Sequence, residues 1–167
     1  MAEKDRVLAE KIKHTGIFSF SELYEYLYDW FNDESYKIRE KKYSEKILGE
    51  TKTIEIEWEC EKKISDYFKF QIKLAWLITG LKKIEVKKED QKVTMNSGAV
   101  EIKYTAMIIK DYEDRWENQP FWKFLRGIYD RYIIRTRIDY YEERIEDEMR
   151  EVVAQSKAFL ALESRKG

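Results

Sequence analysis

The side chains best suited to nucleophilic or acid–base chemistry in this chain are its single cysteine, Cys60, and its single histidine, His14. A cysteine nucleophile needs a neighbouring base or charge that lowers the pKa of its thiol. Cys60 lies on the apolar side of an alternating segment, and His14 lies far away in a charged N-terminal segment. We therefore interpret Cys60 as a small buried residue. One cysteine also excludes an internal disulfide, and one Cys with one His cannot build a zinc site from such ligands.

Carboxylates are concentrated between Glu142 and Glu148, where they could be imagined as a di-metal site. Carboxylate sites in helical bundles add inward-facing Glu-x-x-His pairs, and this segment contains no histidine. Its carboxylates alternate with Arg144 and Arg150, which is typical of an ion-paired, solvent-facing helix surface. The six glycines are scattered and form no phosphate-binding loop. The sequence therefore predicts no cofactor, no metal and no enzymatic activity.

A group of basic residues near the C-terminal third could contact a nucleic acid. The group alternates with aromatic residues and consists of Lys123, Arg126, Arg131, Arg135 and Arg137. Basic side chains can hold a phosphate backbone while aromatic rings stack on bases. The net charge of −1, from 32 basic and 33 acidic residues, and the absence of a nucleic-acid motif make this role an alternative rather than the first hypothesis.

The order of charges in the same region favours assembly. The basic group is followed by a mostly acidic segment from Glu142 to Glu151. Basic residues near a helix N-terminus oppose the helix dipole, so local helix stability does not account for this order. Two such helices packed antiparallel would place basic halves beside acidic halves, as in a two-fold dimer. We expect a homo-oligomer or a complex with another protein through this helix; the alternative is that the helix packs only on its own sheet.

Alternating residues predict the sheet that must carry these side chains. Ile54, Ile56, Trp58 and Cys60 alternate with glutamates, and a second alternating run extends from Phe68 to Ile78. Period-two alternation predicts strands with one buried and one solvated face. Paired through a turn at 62–66, these strands would set a row of glutamates beside a row of lysines.

The flanking segments predict the remaining elements. Ser19 and Glu22 match a capping box that begins a helix ending near Phe31. Residues 1–15 are predicted to form a short helix, a docking arm or a frayed end. Residues 36–47 are favoured as a strand, with a helix as the alternative. Shorter strand-like pieces follow at 84–86, 93–95 and 100–108, and a long helix is predicted over 120–162, either bending near 135–139 or projecting beyond the sheet.

The chain is accordingly predicted to be one α+β domain spanning residues 1–167. It consists of an N-terminal helix, an antiparallel β-meander of four to six strands, and a long C-terminal helix packed across the sheet. An aromatic pocket between sheet and helix is a further possibility, lined by Trp58, Phe68, Phe70, Trp76, Tyr104 and Phe124. This order of elements is similar to that of helix-grip lipid-binding domains, and the resemblance implies a cavity for an apolar ligand.

Composition sets the remaining expectations. Charged residues make up 39% of the chain, and with one proline and one cysteine this resembles proteins of heat-loving organisms. No apolar run is long enough to span a membrane, and the N-terminal segment lacks a signal-peptide core, so we expect a cytoplasmic protein. The first hypothesis is a non-enzymatic binding or assembly protein acting through its long C-terminal helix. The alternatives are a small apolar-ligand carrier and a nucleic-acid-associated protein.

Overall fold

The structure is a computed structural model that describes residues 3–65, 67–110, 124–125, 128 and 134–165. Within these ranges the elements, numbered in chain order, are β1 (Glu3–Phe18), α1 (Phe20–Asp33), β2 (Lys37–Leu48), β3 (Thr51–Lys63), β4 (Phe68–Lys88), β5 (Gln91–Lys110) and α2 (Ile134–Ser164). The strands form one antiparallel sheet in the order β1-β5-β4-β3-β2. The predicted α+β class, the antiparallel sheet and the long C-terminal helix are confirmed, and the number of strands in this sheet is five.

The first element is a strand, so the predicted order that begins with a helix is wrong. Residues 3–18 form β1, which pairs with β5 from Glu3 opposite Lys110 to Phe18 opposite Asn96. β1 is an edge strand whose buried members, among the side chains described, are Ile12 and Phe18, and its pairing shifts register after Arg6. Glu10 and His14 lie on the same side of β1 as Ile12, and the bulge shifts the period before them, so the segment shows no clear apolar alternation.

Helix α1 begins where its capping residues predict. Ser19 is the N-cap, and its side chain accepts a hydrogen bond from the Glu22 N–H at 3.4 Å. Phe18 and Leu23, on either side of the cap, are both fully buried. Because β1 and β2 lie at opposite edges of the sheet, the connection that contains α1 crosses from one edge to the other.

The central strands follow the predicted alternation. Residues 37–48 form a strand, and Gly49 adopts a φ of +66° in the turn that leads to β3. We call the face that carries Ile56 and Trp58 the inner face and the face that carries the glutamates the outer face. On the outer face, Lys42 Nζ lies 2.7 Å from Glu55 Oε2 and Lys69 Nζ lies 3.0 Å from Glu61 Oε2. The glutamate row of β3 therefore pairs with lysines on both neighbouring strands.

Strands β4 and β5 are each about twice as long as the sequence predicts, because pieces that read as separate strands are continuous. The register between them shifts between Thr79 and Lys82, and Gly80 there adopts a φ of +62°. Gly98 lies opposite this irregularity, where a Cβ atom would stand 3.0 Å from the Thr79 carbonyl oxygen and 3.1 Å from the Leu81 Cα. Gly98 is therefore required for two backbones to approach closely, not for a turn.

Replacement of Gly98 by alanine tests this close approach. We expect Gly98→Ala to lower the free energy of unfolding by about 1–3 kcal/mol, because the new methyl group meets backbone atoms that cannot move independently. Urea denaturation would measure the loss. Ser97→Ala, at the neighbouring strand position, is the control and should stay within about 0.5 kcal/mol of the wild type. A Gly98→Ala protein as stable as this control would contradict the close approach.

Both helices pack on the inner face. α1 contributes Leu23, Leu27 and Phe31 to the core. α2 crosses the sheet: Glu148 contacts β3, Ser156 contacts β5, and Ser164 Oγ lies 3.1 Å from His14 Nε2 of β1. The predicted start of this helix near residue 120 lies outside the described residues, and its end is at Ser164 rather than 162.

Candidate functional site

The structure places most of the predicted pocket residues together on the inner face. Of the six predicted pocket residues, five have side chains that are 2% exposed or less: Trp58, Phe68, Phe70, Trp76 and Tyr104. Phe124, the remaining member of the predicted pocket, is exposed. Five of the six candidates thus share one face of the sheet, and Phe124 does not join their buried set.

The buried aromatic rings contact one another directly and form two clusters. In the first, the Trp58 and Trp76 ring centroids lie 5.1 Å apart, and the Tyr24 ring of α1 lies 5.0 Å from Trp58. In the second, the Tyr141 ring of α2 lies 5.0 Å from Phe68 and 6.1 Å from Phe70. Such edge-to-face and tilted contacts are typical of a packed core. These residues therefore act as the interface between sheet and helices in this structure.

Two polar groups lie inside this apolar interface. The Tyr104 hydroxyl donates to Ser156 Oγ at 2.7 Å, and Ser156 in turn donates to the Val152 carbonyl at 2.7 Å. Burial raises the pKa of the Tyr104 hydroxyl well above its usual range. The indole Nε1 of Trp76 is buried and has no hydrogen-bond partner among the described residues. The hydrogen bonds of Tyr104 and Ser156 offset the cost of burying their hydroxyl groups. Burial of the Trp76 N–H costs free energy that no hydrogen bond among the described residues offsets.

A cluster of polar side chains that sequence reasoning missed joins α2 to the sheet. Lys62 of β3 forms an ion pair with Glu148 of α2, and their side chains are only 11% and 14% exposed. The Tyr36 hydroxyl donates to Glu148 Oε2 at 3.1 Å, and Lys62 Nζ lies 4.5 Å from the Tyr36 ring centroid. Burial and the nearby Glu148 carboxylate raise the pKa of Tyr36. No sequence signal links residues 36, 62 and 148, because they meet only in the folded chain.

The predicted basic contact residues are mostly outside the described part of the chain. Lys123, Arg126 and Arg131 are not described, and Arg135 lies in α2 without a described side chain. Arg137 is exposed on α2. The structure therefore locates one of the five side chains, and the nucleic-acid hypothesis stays a prediction.

Cys60 occupies the buried position that its sequence pattern predicts, whereas His14 lies in a strand rather than in the predicted helix, arm or frayed end. Cys60 is fully buried on the inner face, and burial raises the pKa of its thiol above its usual range. His14 lies on β1, with its ring centroid 6.0 Å from that of Phe18. Among the described residues, no group of three or more His, Cys, Asp or Glu side chains is arranged to hold a metal ion.

The side of α2 that faces away from the sheet carries exposed charged residues and an exposed tyrosine. Tyr140 is 61% exposed, with exposed Arg137 one turn before it and exposed Glu143 one turn after it. The opposite side of the same helix buries Ile145, Met149 and Val152 in the core. One side of this helix therefore completes the core, and the described side chains Arg137, Tyr140 and Glu143 on its other side are exposed.

Neither described helix, α1 or α2, is long and apolar enough to cross a lipid bilayer.

Comparison with known proteins identifies no relative. A scan of family models and searches of curated proteins and of solved structures find no match for this chain.

Proposed function

We propose that this chain is a non-enzymatic assembly protein in which the outward side of α2 pairs with the same surface of a second copy. The observation that carries the proposal is the exposed ring of Tyr140, which lies on the outward side of α2 between side chains of opposite charge. Arg137 precedes this ring, and Glu143 and Asp147 follow it. An exposed aromatic ring between opposite charges is typical of an interface centre with a polar rim.

Helix geometry makes this surface complementary to itself. Arg137 and Glu143 each lie three residues from Tyr140, which corresponds to a rise of about 4.5 Å on either side. In an antiparallel pair with its two-fold axis at Tyr140, Arg137 of one copy would lie level with Glu143 of the other. The symmetry forms this pair twice and brings the two Tyr140 rings together. Helices in such pairs approach to about 8–10 Å, within reach of these side chains.

The same geometry agrees with the charge order along the chain. The basic residues that precede Arg137 would face the acidic segment that follows Tyr140. Those basic side chains lie outside the described residues, so the support comes from the segment 137–151. The buried face of α2 is already occupied by the core, and pairing therefore requires no rearrangement of the fold.

Charge reversal tests the proposed interface without disturbing the core. Light scattering of the wild type at tens of micromolar protein should give the mass of a dimer. Arg137→Glu and Glu143→Arg should each give a monomer, because each places like charges opposite one another, and the double variant should restore the dimer. Lys92→Glu, at an exposed position in β5 far along the chain from α2, is the control and should leave the mass unchanged.

Two outcomes would contradict the proposal. A wild-type protein that is monomeric throughout this concentration range would remove it. A dimer that survives both single reversals would place the interface elsewhere on the molecule. Cutting the chain after Arg137 is a poorer test, since it would also remove the buried side chains of Met149 and Val152.

A further inference from the structure

One surface of the molecule is acidic and aromatic, although the chain as a whole is nearly neutral. All five charged residues between Ser19 and Tyr36 are acidic: Glu22, Glu25, Asp29, Asp33 and Glu34. This segment contains α1, whose exposed side therefore carries negative charge alone. None of the 32 lysines and arginines of the chain lies in this segment. The electrostatic potential at the exposed side of α1 is therefore negative.

Glu40 lies beside α1 on the inner side of the edge strand β2, opposite Trp58. Its Oε2 atom accepts hydrogen bonds from the Tyr24 hydroxyl and from Trp58 Nε1, the latter at 3.2 Å. Two donors from different elements therefore hold this carboxylate in one orientation, although the residue itself is exposed.

Glu40 also lacks the cation that most glutamates of β2 and β3 have. Four of these glutamates lie within 4 Å of a lysine: Glu45 by Lys52, Glu55 by Lys42, Glu59 by Lys41 and Glu61 by Lys69. Glu40 has no such partner in the part of the chain that the structure describes. Its charge is thus oriented by the protein but not neutralised by it.

Further tyrosine rings lie on the same side of the sheet as this carboxylate. Tyr28 is 42% exposed, with its ring centroid 6.2 Å from that of Trp58, and Tyr43 is 45% exposed on the same side of β2. Burial and hydrogen bonds to glutamates raise the pKa of Tyr24 and of Tyr43 to about 12. Both phenols therefore remain neutral at physiological pH. Neutral aromatic faces attract cations, so the rings and the carboxylate favour the same kind of ligand.

We propose that the surface formed by Tyr24, Tyr28, Glu40 and Tyr43, which we call the α1–β2 surface, binds the ammonium group of a lysine side chain on a partner protein. The rings are exposed rather than enclosing a cavity, so a free amine would keep most of its hydration here. A protein segment supplies further contacts, and Ile47, 70% exposed on the same side of β2, offers it an apolar one. This proposal uses no residue of the α2 interface and does not rest on it.

Binding of a labelled peptide tests the α1–β2 surface. The probe is a short fluorescein-labelled peptide of repeating lysine, leucine and serine, and its partner probe has glutamate at each lysine position. Fluorescence anisotropy at about 0.15 M salt, where long-range attraction is screened, should detect binding of the lysine peptide only. Glu40→Gln keeps a hydrogen-bond acceptor but removes the charge, and should weaken binding about three- to fivefold.

Matched variants separate this surface from general attraction. Tyr28→Leu keeps an apolar side chain without the ring and should weaken binding about two- to fivefold. Glu57→Gln removes an exposed carboxylate from the outer face of the sheet and should leave the affinity unchanged. Equal weakening by Glu57→Gln, or the absence of binding, would overturn the proposal. Displacement of the peptide by an equal concentration of n-butylammonium would also overturn it, because the amine alone would then be the ligand.

Discussion

Replacing Glu148 by alanine is expected to lower the free energy of unfolding by about 3–5 kcal/mol. The substitution leaves the Lys62 ammonium largely buried without its counter-charge and leaves the Tyr36 hydroxyl without its acceptor. Both groups would keep their desolvation cost and lose the interaction that offsets it. Urea denaturation near pH 7 would measure the change.

Two controls separate burial from simple loss of an ion pair. Glu55→Ala removes the partner of Lys42 from an exposed ion pair of similar length, and we expect no resolvable loss of stability. The double variant Lys62→Met/Glu148→Leu replaces both charges by apolar groups and should recover part of the stability lost in Glu148→Ala, since the Tyr36 hydroxyl still lacks its acceptor. A Glu148→Ala protein no less stable than Glu55→Ala would show that the Tyr36–Lys62–Glu148 cluster does not hold α2 to the sheet.

Replacing Met149 by alanine is expected to cost about 2–5 kcal/mol, because the side chain is fully buried and its removal leaves a cavity. Glu151→Ala, two residues away on the exposed side of α2, is the matched control and should stay within about 0.5 kcal/mol of the wild type. Thermal and urea unfolding of the two variants would compare the two sides of one helix directly. A Met149→Ala loss as small as that of the control would contradict the docking of α2 on the sheet.

Local signals in the sequence predicted the local structure well. The Ser19–Glu22 capping box marks the start of α1, because a cap depends only on residues within one helical turn. Alternation in β3 marks both of its faces, because each side chain is assigned by its immediate neighbours.

Predictions failed where the structure depends on residues distant in sequence. β1 is rich in charged residues and contains a bulge, and it forms a strand through pairing with β5. Residues 96–98 separate two predicted strand pieces, yet they continue β5 opposite the irregularity around Gly80. The conformation of one strand segment thus depends on an irregularity in the strand that pairs with it.

Of the two candidate sites, the sequence indicates the one that lies along a single helix but not the one formed by packing of separate elements. The charge order around Arg137 and Glu143 is visible in the sequence, because it lies along one helix. The α1–β2 surface was missed, although the absence of lysine and arginine between Ser19 and Tyr36 is a signal that could have indicated it. What the sequence lacks is the position of Glu40 beside Tyr24, which arises only when β2 and α1 pack together.

The pairing of β1 with β5 has a consequence for how the protein is made. β1 is synthesised before every other strand, but the strand it pairs with is the last of the five. Until β5 has left the ribosome, β1 has no neighbour in the sheet, and Ile12 and Phe18 have no completed face to pack on. The nascent chain therefore carries an unpaired strand until β5 is available, a condition that favours aggregation and chaperone binding. Because the contacts that close the sheet join distant parts of the chain, we expect slow folding that is completed only after β5 has emerged.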